Sequence, residues 1–205
     1  MKQPRALWLW ILGIAFALAL VGVAFWLDPS VERWATENQT RRVREIAKAF
    51  NKWGDWPQHV IATLLMAGAA RLWGSRKWTR IFMSMLIAWV VASAVMKPMQ
   101  ALIVRERPIV KIENKPLTWT RLHSFPSGHT TASTAFFATL AIANWRIGVP
   151  FLLIPIAIAF SRIYVSAHYL SDVVAGALIA VAASYFVLRF RERRANRGVP
   201  GSDQR

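Results

Sequence analysis

Six apolar stretches, several too long for the core helices of a water-soluble domain, decide what this chain can fold into. A hydrocarbon layer takes roughly 20 predominantly apolar residues per spanning helix. The stretches that meet or approach that length predict membrane helices over 6–27, 57–73, 81–103, 130–145, 149–165 and 170–189. The second, fourth and fifth are short, which calls for a thin region of bilayer or little tilt. The first follows Lys2 and Arg5, as a signal peptide would. Its apolar part exceeds a secretory h-region, however, and no small-x-small site ends it before Trp26-Leu27-Asp28-Pro29, so a retained helix is expected. The chain reads as an all-α integral membrane protein forming a single domain over 1–205.

Charge distribution orients the spans. The formal charge of +16 invites a nucleic-acid reading, yet the basic residues flank apolar runs. Arg71, Arg76, Lys77 and Arg80 lie in one short connection, and Arg189, Arg191, Arg193, Arg194 and Arg197 follow the last run. That pattern fits cytoplasmic flanks drawn to anionic lipid head groups. No basic stripe with interleaved aromatics stands outside the membrane runs, so no nucleic-acid partner is expected. An even number of spans puts both termini in the cytoplasm, with the 74–80 loop and the Arg146 turn. The 28–56 and 104–129 loops and the 166–169 turn then face outward. Within 28–56, Val31, Trp34, Val43, Ile46, Ala47, Phe50 and Trp53 recur at partial helical spacing, predicting an amphipathic helix on the membrane plane or over the bundle. The six Lys/Arg of this segment oppose the orientation rule, and Glu32, Glu37, Glu45 and Asp55 offset part of their charge. The polar 190–205 tail is expected to be disordered. Of eleven tryptophans, most sit near helix ends and read as interfacial anchors. Cysteine is absent, which removes disulfides, thiol nucleophiles and thiolate metal ligands.

Two polar segments interrupt this apolar background, and polar groups near membrane depth are costly unless used. Pro126-Ser127-Gly128-His129 leads into a helix whose first-turn N–H groups can cradle a phosphate while His129 points toward it. Gly128 permits close backbone packing or an unusual dihedral. In Ser161-Arg162…His168…Asp172, the four-residue step from His168 to Asp172 puts them on one helical face. A carboxylate there can fix one imidazole nitrogen and leave the other free to attack, or it can simply cap a helix.

Together these segments resemble the type 2 phosphatidic acid phosphatase (PAP2) family of membrane lipid phosphatases, over roughly 57–189. The second signature of the family matches at Pro126-Ser127-Gly128-His129, the third at Ser161-Arg162, His168 and Asp172, and the end of the first at Arg107-Pro108. The lysine expected seven residues before Arg107 is replaced by Gln100, and Lys97 is the nearest lysine. Lys97 can snorkel across that gap, and Arg105 is the other candidate to supply the charge. The resemblance implies a six-helix bundle in a bacterial inner membrane, with the site on the outer side. It implies His168 as nucleophile, Asp172 as its orienting carboxylate and His129 as proton donor. It implies that Arg107, Arg162, Ser127 and the Gly128 N–H hold the phosphate, and Lys97 is expected to join them by snorkelling. It also implies no metal and no cofactor. The substrate expected is a lipid phosphate or diphosphate: undecaprenyl diphosphate, phosphatidylglycerophosphate, phosphatidic acid or lipid A 1-phosphate. No obligate protein partner is inferred. Phosphotransfer to another lipid, transport, and noncatalytic lipid binding are the competing readings.

Overall fold

The computed structural model describes residues 4–114 and 116–197, so Lys2, Lys115 and the 198–205 part of the tail lie outside it. Within these residues the chain is all-helical. Its elements are α1 (Pro4–Glu37), α2 (Arg41–Trp53), α3 (Trp56–Leu72), α4 (Arg76–Leu102), α5 (Pro108–Glu113), α6 (Trp119–Leu122), α7 (Gly128–Ala143), α8 (Trp145–Phe151), α9 (Leu153–Tyr164) and α10 (Leu170–Arg197).

Four segments are long and apolar enough to cross a membrane: Leu7–Glu37, Arg76–Leu102, Trp145–Tyr164 and Leu170–Arg194. Their outward faces carry large apolar side chains such as Leu9, Phe16, Val90, Ile156 and Phe186. Such faces suit hydrocarbon contact. At 17 and 16 residues, α3 and α7 are shorter.

Helix α7 is the hub, packed against α3, α4, α8, α9 and α10. Its sequence explains why: ten of its residues are buried and most of those are Ala, Ser or Thr. Small side chains let helix axes approach closely. The hydroxyls are satisfied internally, Thr131 donating to Ser127 O, Ser133 to His129 O and Thr139 to Ala135 O. Thr139 also donates to Ser184 Oγ of α10 at 2.9 Å, tying the two helices. Gly176 of α10 marks their closest approach. A Cβ there would stand 2.7 Å from Thr131 Oγ1 and 2.9 Å from Ser127 O.

Three sequence expectations change. The first helix does not stop before Asp28-Pro29 but runs to Glu37 with Pro29 inside it. The charge that suggested an end is buried instead, because Arg105 and Ser171 neutralise and bond it. Val31 and Trp34 therefore belong to α1, and the amphipathic segment is the shorter α2. Thr40 caps α2, accepting from Val43 N, and Ala47 packs on Tyr164 and Val165 of the α9 end. The expected 149–165 helix is two helices, α8 and α9, meeting at Leu152. Residues 190–197 of the tail expected to be disordered continue α10 as helix.

Candidate active site

Six helix ends meet at one end of the bundle: the C-terminal parts of α1, α4 and α9 and the N-terminal parts of α3, α7 and α10. The Ser161–Asp172 segment closes there through a tight turn. Ala167 N and His168 N both donate to Arg162 O, at 3.0 and 3.2 Å, and Ser166 takes a left-handed φ of 56°. Ser166 O in turn accepts from Ile109 N at 2.8 Å, which fastens α5 to the turn.

His168 and Asp172 meet as their spacing predicts. His168 Nδ1 lies 3.4 Å from Asp172 Oδ2 and 3.3 Å from Ser124 Oγ. Ser124 donates to the same Oδ2 at 2.5 Å, and Tyr169 N donates to it at 2.9 Å. With acceptors on this side, Nδ1 carries the proton and Nε2 keeps its lone pair. His168, Asp172 and Ser124 are all buried. Burial pushes the His168 pKa down to about 3, outweighing the hydrogen bond to Asp172 that raises it, so the imidazole is neutral at working pH.

The Pro126–His129 segment is bonded to the Ser161–Asp172 segment. Ser127 N donates to Asp172 O at 3.0 Å, so the start of α7 and the start of α10 share one hydrogen bond. Ser127 Oγ accepts from Thr130 Oγ1 at 3.1 Å, leaving the Ser127 proton free to donate. Gly128 has no unusual dihedral, and a Cβ there would meet only Met96 Cε at 3.7 Å and Gln100 Nε2 at 3.8 Å. The expectation of a tight or strained backbone at Gly128 is thus corrected; the tight glycines are Gly54, Gly148 and Gly176. The Asn51 backbone lies beside His129, whose Nε2 stands 3.9 Å from Asp55 Oδ1, the carboxylate that caps α3.

Arg107 and Arg162 complete the cluster. Both exert Coulombic influence on His129 and on His168, and the Nε of each is buried without a protein acceptor. Burial lowers the Arg107 pKa, with Asp172 opposing, yet a guanidinium starts high enough to stay charged. One buried and one half-buried cation, with a neutral imidazole and a free hydroxyl, make a site for a tetrahedral oxyanion.

Lys97 is not brought to this cluster. Met96 and Gln100 share the face of α4 that meets Gly128, whereas Lys97 is exposed off that face. Gln100 Nε2 donates to Pro126 O at 2.8 Å and so sits where the charge was sought. Arg105, the other candidate, is already engaged with Asp28 and Asp172. The sequence places Ser124 at the head of the polar segment Ser124-Phe125-Pro126-Ser127-Gly128-His129 without giving it a role, and it does not mark Asp28 as a neighbour of the site. Ser124 had a signal in its adjacency to Phe125-Pro126; Asp28 had only the oddity of an acid in an apolar helix. His123 is fixed by Trp119, stacked at 3.8 Å with Nδ1 at 2.7 Å from Trp119 O. His59 is wedged edge-on against Phe136 and Phe137.

The sequence model of the PAP2 superfamily matches residues 78–196, which carry every one of these clustered groups except Asp28, Asn51 and Asp55. The chain belongs to the PAP2 superfamily. Among curated PAP2 relatives, it is 35% identical over 69 residues to undecaprenyl-diphosphatase BcrC of Bacillus subtilis, covering 34% of this chain and 36% of that one. It is 49% identical over 53 residues to the lipid A 1-phosphatase of Rhizobium etli, covering 26% and 23% respectively. The matched segments thus span about a third or less of those two relatives. Two solved PAP2 structures share the fold. A Bacillus subtilis transmembrane PAP2 type phosphatidylglycerolphosphate phosphatase has TM-score 0.68 at 21% identity, over 94% of this chain and 98% of that one. Aquifex aeolicus LpxE has TM-score 0.65 at 21% identity, over 80% and 95%.

Proposed function

We propose that this protein hydrolyses a membrane lipid phosphate or diphosphate, without a metal, through a phosphohistidine on His168. The observation that carries the reading is the His168 ring: Nδ1 faces Asp172 and Ser124, which leaves the Nε2 lone pair free, and the Arg107 and Arg162 charges act on the same imidazole.

In the first half-reaction Nε2 attacks phosphorus and the bond from phosphorus to the leaving oxygen breaks, its electron pair departing on that oxygen. His129 enters this step as the imidazolium, its charge facing Asp55 Oδ1 3.9 Å away, and gives that proton to the leaving oxygen. The Nδ1 proton stays between His168 and Asp172, whose carboxylate balances the imidazolium character that develops. Arg107, Arg162, the Ser127 hydroxyl and the Gly128 N–H take the equatorial oxygens, where charge accumulates. In the second half-reaction His129 accepts a proton from water, the oxygen attacks phosphorus, and the P–N bond breaks back onto Nε2. Phosphate leaves and both histidines regain their starting forms.

For topology we propose six spans, with α8 and α9 together forming the fifth and α2 lying over the outer surface. The end opposite the site carries Arg71, Arg76, Arg80, Arg146, Arg191 and Arg194, which supports a cytoplasmic assignment there and an outward-facing site in the inner membrane. A lipid can then enter sideways with its tail still in hydrocarbon. Anionic lipids at the basic end belong to the same proposal. Undecaprenyl diphosphate is the first substrate to test, given an outward site and the BcrC likeness.

The test is phosphate release by purified protein in detergent with EDTA, using undecaprenyl diphosphate, phosphatidylglycerophosphate, phosphatidic acid and lipid A 1-phosphate. Turnover of at least one lipid in EDTA is expected. Activity that appears only on adding a divalent cation contradicts the mechanism, and none under either condition contradicts the enzyme reading.

A further inference from the structure

The catalytic carboxylate is held from behind by a chain of charges that reaches another helix. Arg105 Nη1 donates to Asp172 Oδ1 at 2.6 Å, and Nη2 donates to Asp28 Oδ2 of α1, also at 2.6 Å. Ser171 ties the two halves together. Its Oγ accepts from Arg105 Nη1 at 2.6 Å and donates to Asp28 Oδ2 at 2.6 Å, while its N–H donates to Asp28 Oδ1 at 2.9 Å. The guanidinium lies over the Tyr169 ring at 4.1 Å and near the Phe25 ring at 4.9 Å. Its backbone is clamped too, N donating to Leu122 O and O accepting from Ser124 N. Arg105 therefore positions both groups that face His168 Nδ1: Asp172 through its side chain and Ser124 through its carbonyl.

Such a chain is an expensive way to hold two helices together. The side chains of Asp28 and Asp172 are 7% and 0% exposed, and that of Arg105 is 20% exposed. Charges so buried cost several kcal/mol each unless paired, and a well-packed apolar group can often replace them without loss of stability. What an apolar replacement cannot do is fix a carboxylate's rotation. With Oδ1 pinned by the guanidinium, Oδ2 is the oxygen left to meet His168, Ser124 and Tyr169 N. A planar two-pronged donor is suited to bridging two carboxylates, which the single ammonium of lysine does less well.

We propose that Arg105 and Asp28 are positioning residues for catalysis: an Asp28–Arg105–Asp172 bridge sets the orientation of the His168 ring. The inference rests on the reading of His168 as nucleophile and adds two residues that act through Asp172 without touching the phosphate. It also assigns Arg105 to the carboxylate side of the site, so the charge missing at Gln100 is not supplied by Arg105.

The test is single-turnover phosphorylation of Arg105→Met, Arg105→Lys, Asp28→Asn and the double variant Asp28→Asn/Arg105→Met. Purified protein is mixed with all four lipids named above, each labelled on its transferable phosphate, then quenched. Two quantities are read: the fraction of enzyme that becomes labelled and the rate at which that fraction labels. Misalignment of a reacting group costs on the order of 100-fold in rate. Arg105→Met is expected to approach that loss, Asp28→Asn to lose about threefold to tenfold, and Arg105→Lys to fall between them. The lipid concentration giving half-maximal rate stays within about twofold of wild type, because no phosphate contact has been removed. Should Arg105→Met fail to fold, Asp28→Asn and the double variant, which leaves no stranded charge at position 28, carry the comparison. A wild-type rate with only a smaller labelled fraction makes the bridge a structural clamp and overturns the proposal. Labelling that persists in His168→Ala, or no labelling of the wild type, instead overturns the nucleophile assignment and this inference with it.

Discussion

Asp172 Oδ2 stands 3.4 Å from His168 Nδ1, one helical turn apart in sequence, with both side chains buried. Arg105 holds the other oxygen, Oδ1, while Oδ2 also accepts from Ser124 Oγ and Tyr169 N. Asp172→Asn keeps the shape and removes the charge that fixes the imidazole tautomer. Tautomer control of this kind is worth several orders of magnitude in other His–Asp systems. A kcat loss of at least about 100-fold is expected. An unchanged kcat, measured on protein with an unaltered thermal midpoint, makes Asp172 a helix cap only.

The acid limb of the nucleophile follows from burial. A histidine whose pKa is lowered to about 3 stays unprotonated until the pH falls toward that value, so acidification through the ordinary histidine range leaves it able to attack. In a His129→Gln background, which removes the other histidine of the site, the phosphorylation rate should show no midpoint between about pH 5 and pH 8 from His168. A single protonation near pH 6.5 that abolishes labelling in that background contradicts the burial argument.

Two glycines separate packing from chemistry. Gly176→Ala drives a Cβ against Thr131 Oγ1 and Ser127 O, at the contact that keeps α7 and α10 in register. Overpacking of this sort costs about 1–3 kcal/mol, so a lower thermal midpoint and lower turnover are expected together. Gly128→Ala meets only ordinary contacts, and its thermal midpoint should stay at the wild-type value. A turnover loss in Gly128→Ala without loss of stability reports occupation of the space that the phosphate needs.

Gln100, not Lys97, faces the turn that carries Gly128. Lys97→Ala is therefore expected to retain near wild-type kcat and KM. Gln100→Lys keeps a donor for Pro126 O and adds a cation, so its KM should fall or hold. Initial rates across lipid concentration decide this. A raised KM in Lys97→Ala, with no gain in Gln100→Lys, returns Lys97 to the phosphate site.

Much of the site was legible because its groups fall in short segments with fixed spacing. His168 and Asp172 are i and i+4, and His129 opens a helix after a proline and a glycine. The bridge behind Asp172 was not legible. Asp28 and Arg105 are separated by 77 residues, and Asp28 and Ser171 by 143, so no local spacing records their meeting. The end of α1 was misread for the same reason: Asp28-Pro29 resembles a terminus until the charge finds partners from α10 and the loop after α4. Gly176 was passed over because an isolated glycine in an apolar helix gives no sign of what packs on it.

The most direct test of the central claim is to trap the phosphoenzyme. Wild-type protein in EDTA, quenched in base after mixing with phosphate-labelled undecaprenyl diphosphate, phosphatidylglycerophosphate, phosphatidic acid and lipid A 1-phosphate, is digested and the label located by mass spectrometry. The account predicts a base-stable, acid-labile phosphate on His168, absent in His168→Ala. Turnover in EDTA with label on another residue, or full turnover by His168→Ala, contradicts it.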